Sequence, residues 1–280
     1  MRYVEHNYAT SEIEYKNFIS PSIANAVAFL DLKNDRHILD AGCGPGATFL
    51  PLLKGTGMKG NIIGIDASKV HLENAQKLIK KSRTEEKISL IEANLFEKFP
   101  FDSNTFDLVW FSDVLFPDDT GDHTFAILSE AKRVLKPGGR IAIFYGNWLR
   151  LHLLESYSEI EHAISMANEQ RKSDQRKWIS DLHPENGLKW LMDIQMLNCN
   201  VSFHDTAYHA PLSPRIKNYI VWHFQNIYEK AIDYYFRSTG NIALLETWRD
   251  IIDPCSNSFI LERQGYYCRA SPMLFAGNKP

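Results

Sequence analysis

Apolar and polar positions change their rhythm near Gly146. Before it, short apolar runs alternate with longer amphipathic stretches. His37-Ile38-Leu39-Asp40, Asn61–Asp66, Ile88–Leu95, Thr105–Ser112 and Arg140–Tyr145 are rich in branched and aromatic residues and too short for buried helices, so they read as strands. A short helix is expected over Ser11–Phe18. A second has Ser20 as N-cap, Pro21 at the first helical position, and Ile23, Val27 and Leu30 on one face. A third follows residue 46, where Thr48 as N-cap keeps Pro51 in the first turn. Ser68–Ser82 turns Val70, Ala75, Leu78 and Ile79 inward, and Asp122–Leu135 closes the series. Strands alternating with helices demand a parallel sheet covered on both faces.

Beyond Gly146 the chain is mostly helical. Leu149, Leu153, Ile160, Ile164 and Ala167 fall at helical spacing within 147–198, and Ser213–Ile252 forms a second long helical stretch. Cys199–Tyr208 and Tyr266–Ala276 alternate like strands. Five of the six tryptophans (Trp148, Trp178, Trp190, Trp222 and Trp248) lie in this half, among many tyrosines and phenylalanines. Most of these rings fill a core. As a set they suit an apolar ligand chamber, because such chambers are mainly apolar with few polar groups. Tyr219, Trp222 and His223 share one helical face, with Tyr228 near the same stripe.

The first strand ends in Asp40-Ala41-Gly42-Cys43-Gly44-Pro45-Gly46. Its glycines allow a sharp turn, a close ligand approach and close helix packing. NAD and FAD sites use similar turns, so the loop alone does not name a ligand. The G-x-G-x-G spacing departs from the dinucleotide G-x-G-x-x-G. About twenty residues on, Asp66 ends the second strand at the position that takes ribose hydroxyls.

Four motifs in order, L-D-A-G-C-G-P-G, the D of G-I-D-A-S, F-D-L-V and R-V-L-K-P-G-G, resemble the class I S-adenosylmethionine-dependent methyltransferases over Ile38–Phe144. The resemblance implies a Rossmann-like, doubly wound α/β fold. Its seven-stranded sheet would be mostly parallel with an antiparallel last strand, and Cys199–Tyr208 and Tyr266–Ala276 would supply the antiparallel pair. One domain over 1–280 is expected, with helical cap insertions at about 147–198 and 213–252.

By the same resemblance the cofactor is S-adenosyl-L-methionine. Backbone groups of Ala41, Gly42, Cys43, Gly44 and Gly46 would hold its methionine end, with Asp40 just beneath. Asp66 would take both ribose hydroxyls, with Ala67 beside the adenine. Asn94 and Leu95 would frame that ring, and backbone carbonyls at Phe111 and Ser112 would receive the ammonium. N-terminal helices of the family often cross the cofactor mouth, which brings in Tyr8 and Tyr15. Methyl transfer from a sulfonium is an in-line displacement, so the protein must chiefly align the partners and exclude water. Ser112-Asp113-Val114-Leu115 is not the N-P-P-Y motif used on nucleobase amines, and the histidine of many small-molecule relatives is replaced in Leu115-Phe116-Pro117-Asp118. Pro254-Cys255 lies in the wrong place for a cytosine-C5 nucleophile. A general base, where one is needed, would be His209, His204 or Tyr208; Asp113, Tyr219, Trp222 and His223 are candidates for the acceptor site.

Formal charge is −3, from 31 basic and 34 acidic residues, which disfavours a nucleic-acid partner. Lys77, Lys80, Lys81 and Arg83 crowd a helix end, where cations suit the dipole, and Arg171-Lys172 and Arg176-Lys177 read as a solvated face. The four cysteines show no C-x-x-C spacing, so no metal site is expected. Met1–His6 has no secretory h-region and no apolar run spans a bilayer, which points to a cytoplasmic protein without membrane contact. The expected activity is methyl transfer to a small, apolar or aromatic acceptor. RNA or protein methylation and a non-catalytic, cofactor-binding regulator are the alternatives. Oligomeric state stays open.

Overall fold

The computed structural model describes residues 14–34, 37–115, 123–147, 151–174 and 183–280. Tyr8, Phe116, Pro117, Asp118, Trp148, Arg176, Lys177 and Trp178 lie outside the described residues. Nine strands form among those described: β1 His37–Ala41, β2 Asn61–Asp66, β3 Ile88–Glu92, β4 Phe106–Ser112, β5 Leu135–Tyr145, β6 Leu197–Phe203, β7 Thr206–His209, β8 Tyr267–Ala270 and β9 Met273–Asn278. The helices are α1 Ser20–Phe29, α2 Phe49–Gly55, α3 Lys69–Ser82, α4 Thr124–Val134, α5 Ser158–Asp174, α6 Gly187–Asp193, α7 Pro214–His223, α8 Glu229–Thr239 and α9 Ile242–Ile252. Two compact units result, one of residues 1–146, 179–204 and 272–280, the other of 147–178 and 205–271.

The first unit holds a seven-stranded sheet in the order β3-β2-β1-β4-β5-β9-β6. β1 to β5 run parallel, and β9 lies antiparallel between β5 and β6. Burial explains the near-continuous apolar runs of the middle strands: Leu39, Val109, Phe111 and Ile141 are each 0% exposed. Each such side chain contributes roughly 1.5–3 kcal/mol. Trp190 and Leu191 of α6 join this core, so the described parts of the segment 147–198 divide between the two units, 151–174 in the second and 183–198 in the first.

Helix starts follow the expected chemistry in part. The Ser68 hydroxyl accepts from the His71 amide at 3.4 Å and opens α3. Ser20 is not an N-cap. Residues 14–18 are already helical, Ile19 takes the cap position, and the Ser20 hydroxyl donates to the Asn17 carbonyl at 2.9 Å. Thr48 holds the cap position of α2, but its hydroxyl donates to the Asp40 carboxylate rather than capping the helix.

The two C-terminal strand stretches each split. Cys199–Tyr208 becomes β6 in the main sheet and β7 in a two-stranded sheet, and Tyr266–Ala276 becomes β9 and β8 correspondingly. The break falls at Pro272, which has no amide to give the ladder. Its carbonyl still accepts from the His204 amide at 2.9 Å.

In the second unit the stretch 213–252 is three helices. A π-turn over Phe224–Tyr228 separates α7 from α8. Gly240, at φ 68°, ends α8, and the Asn241 side chain accepts from the Leu244 amide at 3.2 Å to start α9. Tyr228, Trp248 and Tyr266 are fully buried here, and the hydroxyls of Tyr228 and Tyr266 donate to the carbonyls of Leu151 (2.7 Å) and Leu153 (3.0 Å). Among the described residues no helix is long and apolar enough to cross a membrane, and no group of three or more potential ligands gathers for a metal ion.

Candidate functional site

Ligand sites in open parallel sheets lie beyond the carboxyl ends of the strands. Here those ends bring together the turn after β1, Asp66 after β2, Asn94 and Leu95 after β3, and Phe111, Ser112 and Asp113 at and after β4. All belong to the first unit.

The turn is held by its own amides. Those of Gly42 and Cys43 donate to the Ile65 carbonyl at 2.8 and 3.0 Å, and that of Gly46 donates to the Cys43 carbonyl at 3.0 Å. The Gly44 amide donates to Asp66 Oδ2 at 2.9 Å. Pro45 has no N–H, so every amide from Gly42 to Gly46 is spent within the protein. Such a turn offers no cluster of amides to an anion, the device by which nucleotide loops bind phosphate. Gly42 and Gly44 sit at φ 74° and 51°, the left-handed region that disfavours side chains, and a Cβ on Gly42 would also collide with the side chain of Val114. Cys43 is a buried spacer whose sulfur packs against the bare Gly64.

Three carboxylates surround this turn. Asp40 follows Leu39 in β1 and is 0% exposed; its Oδ2 accepts from Thr48 and its Oδ1 has no partner among the described residues. Burial pushes its pKa up to about 7, against the hydrogen bond from Thr48 and the charge of Lys16. Asp66 is different. Burial alone would raise it, but hydrogen bonds from His71 and from the amides of Ser68 and Gly44 hold it below the usual carboxylate range. The third, Asp113, has a left-handed backbone (φ 53°) and accepts from the Gly146 amide at 2.6 Å and from Lys16 at 2.5 Å. Both its oxygens are therefore engaged inside the first unit.

The remaining sequence candidates are distributed unevenly. Ala67 and Asn94 are exposed and Leu95 is half-buried; Asn94 Oδ1 accepts from the Phe96 amide at 3.0 Å, which leaves its NH2 and one lone pair. Ala41, Phe111 and Ser112 are buried. His204 is buried at the end of the edge strand β6, with Nε2 2.8 Å from the Ser202 hydroxyl and its ring against Phe29. Three strand spacings, about 14 Å, separate β6 from β4. Tyr208 and His209 lie on β7 in the second unit, where burial raises the Tyr208 phenol and His209 is exposed. Tyr219 and His223 meet in that unit's core, hydroxyl to Nδ1 at 3.4 Å. Trp222 faces a groove with Lys217, Val221, Gln225 and Phe259.

Two residues of the site escape a sequence reading. Lys16, beside Tyr15 in a polar stretch, looks like a surface lysine but is 5% exposed. His71 sits in the first turn of α3 and reaches Asp66 at 3.5 Å. Its spacing from Asp66 is the one signal that points to it.

A sequence family described as a methyltransferase domain matches residues 32–193. The chain is 32% identical over 113 residues to a sterol 24-C-methyltransferase of Kluyveromyces lactis, covering 40% of this chain and 29% of that protein. It is 34% identical over 117 residues to a demethylmenaquinone methyltransferase of Lactiplantibacillus plantarum, covering 41% and 47%. The matched stretch thus spans less than half of either curated relative. Among solved structures, a candidate methyltransferase of Bacillus halodurans C-125 superposes with a TM-score of 0.51 at 14% identity, covering 92% of this chain and 98% of that one. The YcgJ protein of Bacillus subtilis gives 0.50 at 17% identity, with 92% and 97% covered. At these identities the likeness is one of fold.

Proposed function

The chain belongs to the methyltransferase domain family, and from that premise we propose that it transfers a methyl group from S-adenosylmethionine to a small, apolar or aromatic acceptor. The observation that carries this reading is the glycine turn with its amides spent, set among Asp40, Asp66 and Asp113. A pyrophosphate would find carboxylates and carbonyls there. A ligand with a ribose diol and no phosphate meets the Asp66 carboxylate there, while Asp113 is already paired with Lys16 and Asp40 is fully buried.

The donor fits these residues. Asp66 Oδ2 accepts from the Gly44 amide at 2.9 Å and keeps a lone pair for a hydroxyl of a ribose diol, while Oδ1 accepts from the Ser68 amide at 2.8 Å with His71 at 3.5 Å. When bound, S-adenosylmethionine supplies an electrophilic methyl on sulfur. The chain's own tasks are binding and alignment. Asp66 holds the diol, Asn94 and Leu95 frame the adenine with Ala67 alongside, and the carbonyls at Phe111 and Ser112 take the ammonium. Asp40 stands beneath the turn formed by Ala41, Gly42, Cys43, Gly44 and Gly46. We assign acceptor recognition to the second unit, around Trp222 on its groove, within a single methyltransferase domain with helical cap insertions; Tyr219 and His223, expected beside it, lie in that unit's core instead. Tyr208 and His209 of the second unit are the candidates for a general base, a role typically worth 10²–10⁴-fold. His204, buried at the far edge of the sheet from β4, is set apart from the donor site. The test is calorimetry with S-adenosylhomocysteine followed by radiolabelled methyl transfer to a panel of small acceptors. Micromolar binding and a labelled small product are expected. No binding overturns the reading, and transfer to RNA or protein alone replaces its acceptor class.

A further inference from the structure

The main sheet ends on β6, which among the described residues pairs with β9 alone. The register runs from Asn200 opposite Ala276 to Phe203 opposite Met273, and the next amide, that of His204, donates to the Pro272 carbonyl at 2.9 Å. Antiparallel ladders alternate bonded and non-bonded pairs. Asn200, Ser202 and His204 therefore turn their backbone groups to β9, and the N–H and C=O of Val201 and Phe203 point away from the sheet.

The side chains leave this edge open. Of the ten large hydrophobic residues exposed among those described, Leu197, Val201 and Phe203 lie on β6, and no other strand carries more than one. Val201 is 39% and Phe203 65% exposed. Residues 194–204 contain no aspartate, glutamate, lysine or arginine. Edge strands are usually blunted by charges, proline or bulges. β3, at the opposite edge, follows that rule: Lys87 precedes it, and Glu92 at its end lies 3.7 Å from Lys69. β6 has only the register shift between Leu197 and Asn200, with Asn198 at φ 52°, so residues 200–204 form its straight part.

Charge and symmetry select the occupant. An isologous contact sets every charge beside its own copy, so it needs a surface free of charge, and this edge is one. A strand of another protein is selected through side-chain pockets or charges, and the edge offers no charge to select with.

We propose that β6 pairs antiparallel with β6 of a second copy of this chain, about a two-fold axis through Ser202, so that the two main sheets become one. Val201 then exchanges backbone hydrogen bonds with the partner's Phe203, and Phe203 with the partner's Val201, which uses every outward group of both residues. Each Phe203 ring lies beside the partner's Val201, an aromatic–β-branched cross-strand pair. Ser202 meets its own copy in a non-bonded pair, where Cα atoms stand about 4.5 Å apart. So short an edge falls in the weak class of interfaces, below about 1,200 Å² in total, and the dimer is reversible and set by concentration.

The experiment is analytical ultracentrifugation of the full chain across a concentration series. Wild type should pass from the monomer mass to twice that mass. Val201→Pro deletes an outward N–H and leaves the β9 ladder whole. It should weaken dimerisation at least tenfold, because each copy loses a bond, with a native circular dichroism spectrum. Phe203→Lys, which sets like charges across the axis, carries the same expectation where the proline variant does not fold. Met166→Lys, at a 57% exposed position on α5, should dimerise as wild type does. Ser202→Cys, made together with Cys199→Ser and Cys255→Ser, should give a disulfide-linked dimer on a non-reducing gel after mild oxidation. A chain that stays monomeric at every concentration overturns the proposal and leaves the edge to a different partner. An assembly larger than two overturns it as well, as does a dimer that survives Val201→Pro and Phe203→Lys. A dimer lost equally in Met166→Lys, or one that Ser202→Cys does not cross-link, places the contact elsewhere and overturns it too.

Discussion

The Asp66 carboxylate accepts a hydrogen bond from the Gly44 amide at 2.9 Å, so the end of β2 holds the turn that follows β1. One side chain therefore shapes the loop and presents an anion beside it. Asp66→Ala removes both effects. S-Adenosylhomocysteine should bind at least tenfold more weakly in calorimetry, since hydrogen bonds to a charged acceptor contribute about 1.5–3 kcal/mol each. Thermal unfolding should fall by a few degrees while the circular dichroism spectrum stays native. Unchanged affinity would remove Asp66 from the site.

The glycines of the turn should separate binding from stability. Gly44→Val places a branched side chain at φ 51°, where left-handed backbone costs roughly 1–2 kcal/mol. It should abolish S-adenosylhomocysteine binding with a near-native far-UV spectrum. Gly42→Ala drives a Cβ into Val114, so its first symptom should be a lower melting temperature. A Gly44→Val protein that binds normally would put the ligand elsewhere.

Asp40 makes the first unit sensitive to pH. Its carboxyl rises from 3.8 to about 7 in the fold, so between those values the folded state holds a proton that the unfolded chain has lost. Its contribution to stability is present below about pH 4 and disappears as pH rises through 7. Asp40→Asn keeps a partner for Thr48 and removes the charge. It should flatten this limb and unfold at higher denaturant than wild type at pH 8. Parallel pH profiles for the two proteins would mean that Asp40 is not buried as charged.

His223 gives the opposite sign. Burial lowers its pKa from 6.5 to about 3, and its Nε2 has no partner among the described residues. The unfolded chain takes up the proton first, so stability is lost as pH falls from 6.5 towards 3. His223→Phe should blunt the acid limb in urea melts between pH 6 and 4. A steeper limb in the variant would contradict a neutral, buried imidazole.

Trp222 and Trp248 should behave differently. Trp248 is 0% exposed and donates to Glu229 at 2.7 Å; truncation to alanine should cost about 3–5 kcal/mol. Trp222 is half-buried on a groove, so Trp222→Ala should cost much less. With acceptor recognition around Trp222, that variant keeps S-adenosylhomocysteine affinity and loses methyl transfer. Full transfer activity would remove Trp222 from acceptor recognition.

The sequence by itself determined five strands of a parallel sheet, the carboxylates at Asp40 and Asp66, and the sharp glycine turn after the first strand. These depend on local rules: side-chain periodicity, the backbone freedom of glycine, and the place of a ligand at a strand's end. The family resemblance added an antiparallel pair near the C-terminus, though not the break at Pro272 that sends β7 and β8 into a second sheet. Only the tertiary structure decided which groups are already occupied. Ser112 and Lys16 are 96 residues apart in the chain and 2.7 Å apart in the fold, so no local pattern marks Lys16 as buried. The same holds for the amides of the turn, whose partners Ile65 and Asp66 come from another strand. On α7 the period of 3.6 placed Tyr219, Trp222 and His223 on one face. Packing alone put His223 in the core and Trp222 on a groove, because burial depends on neighbours that helical spacing does not specify.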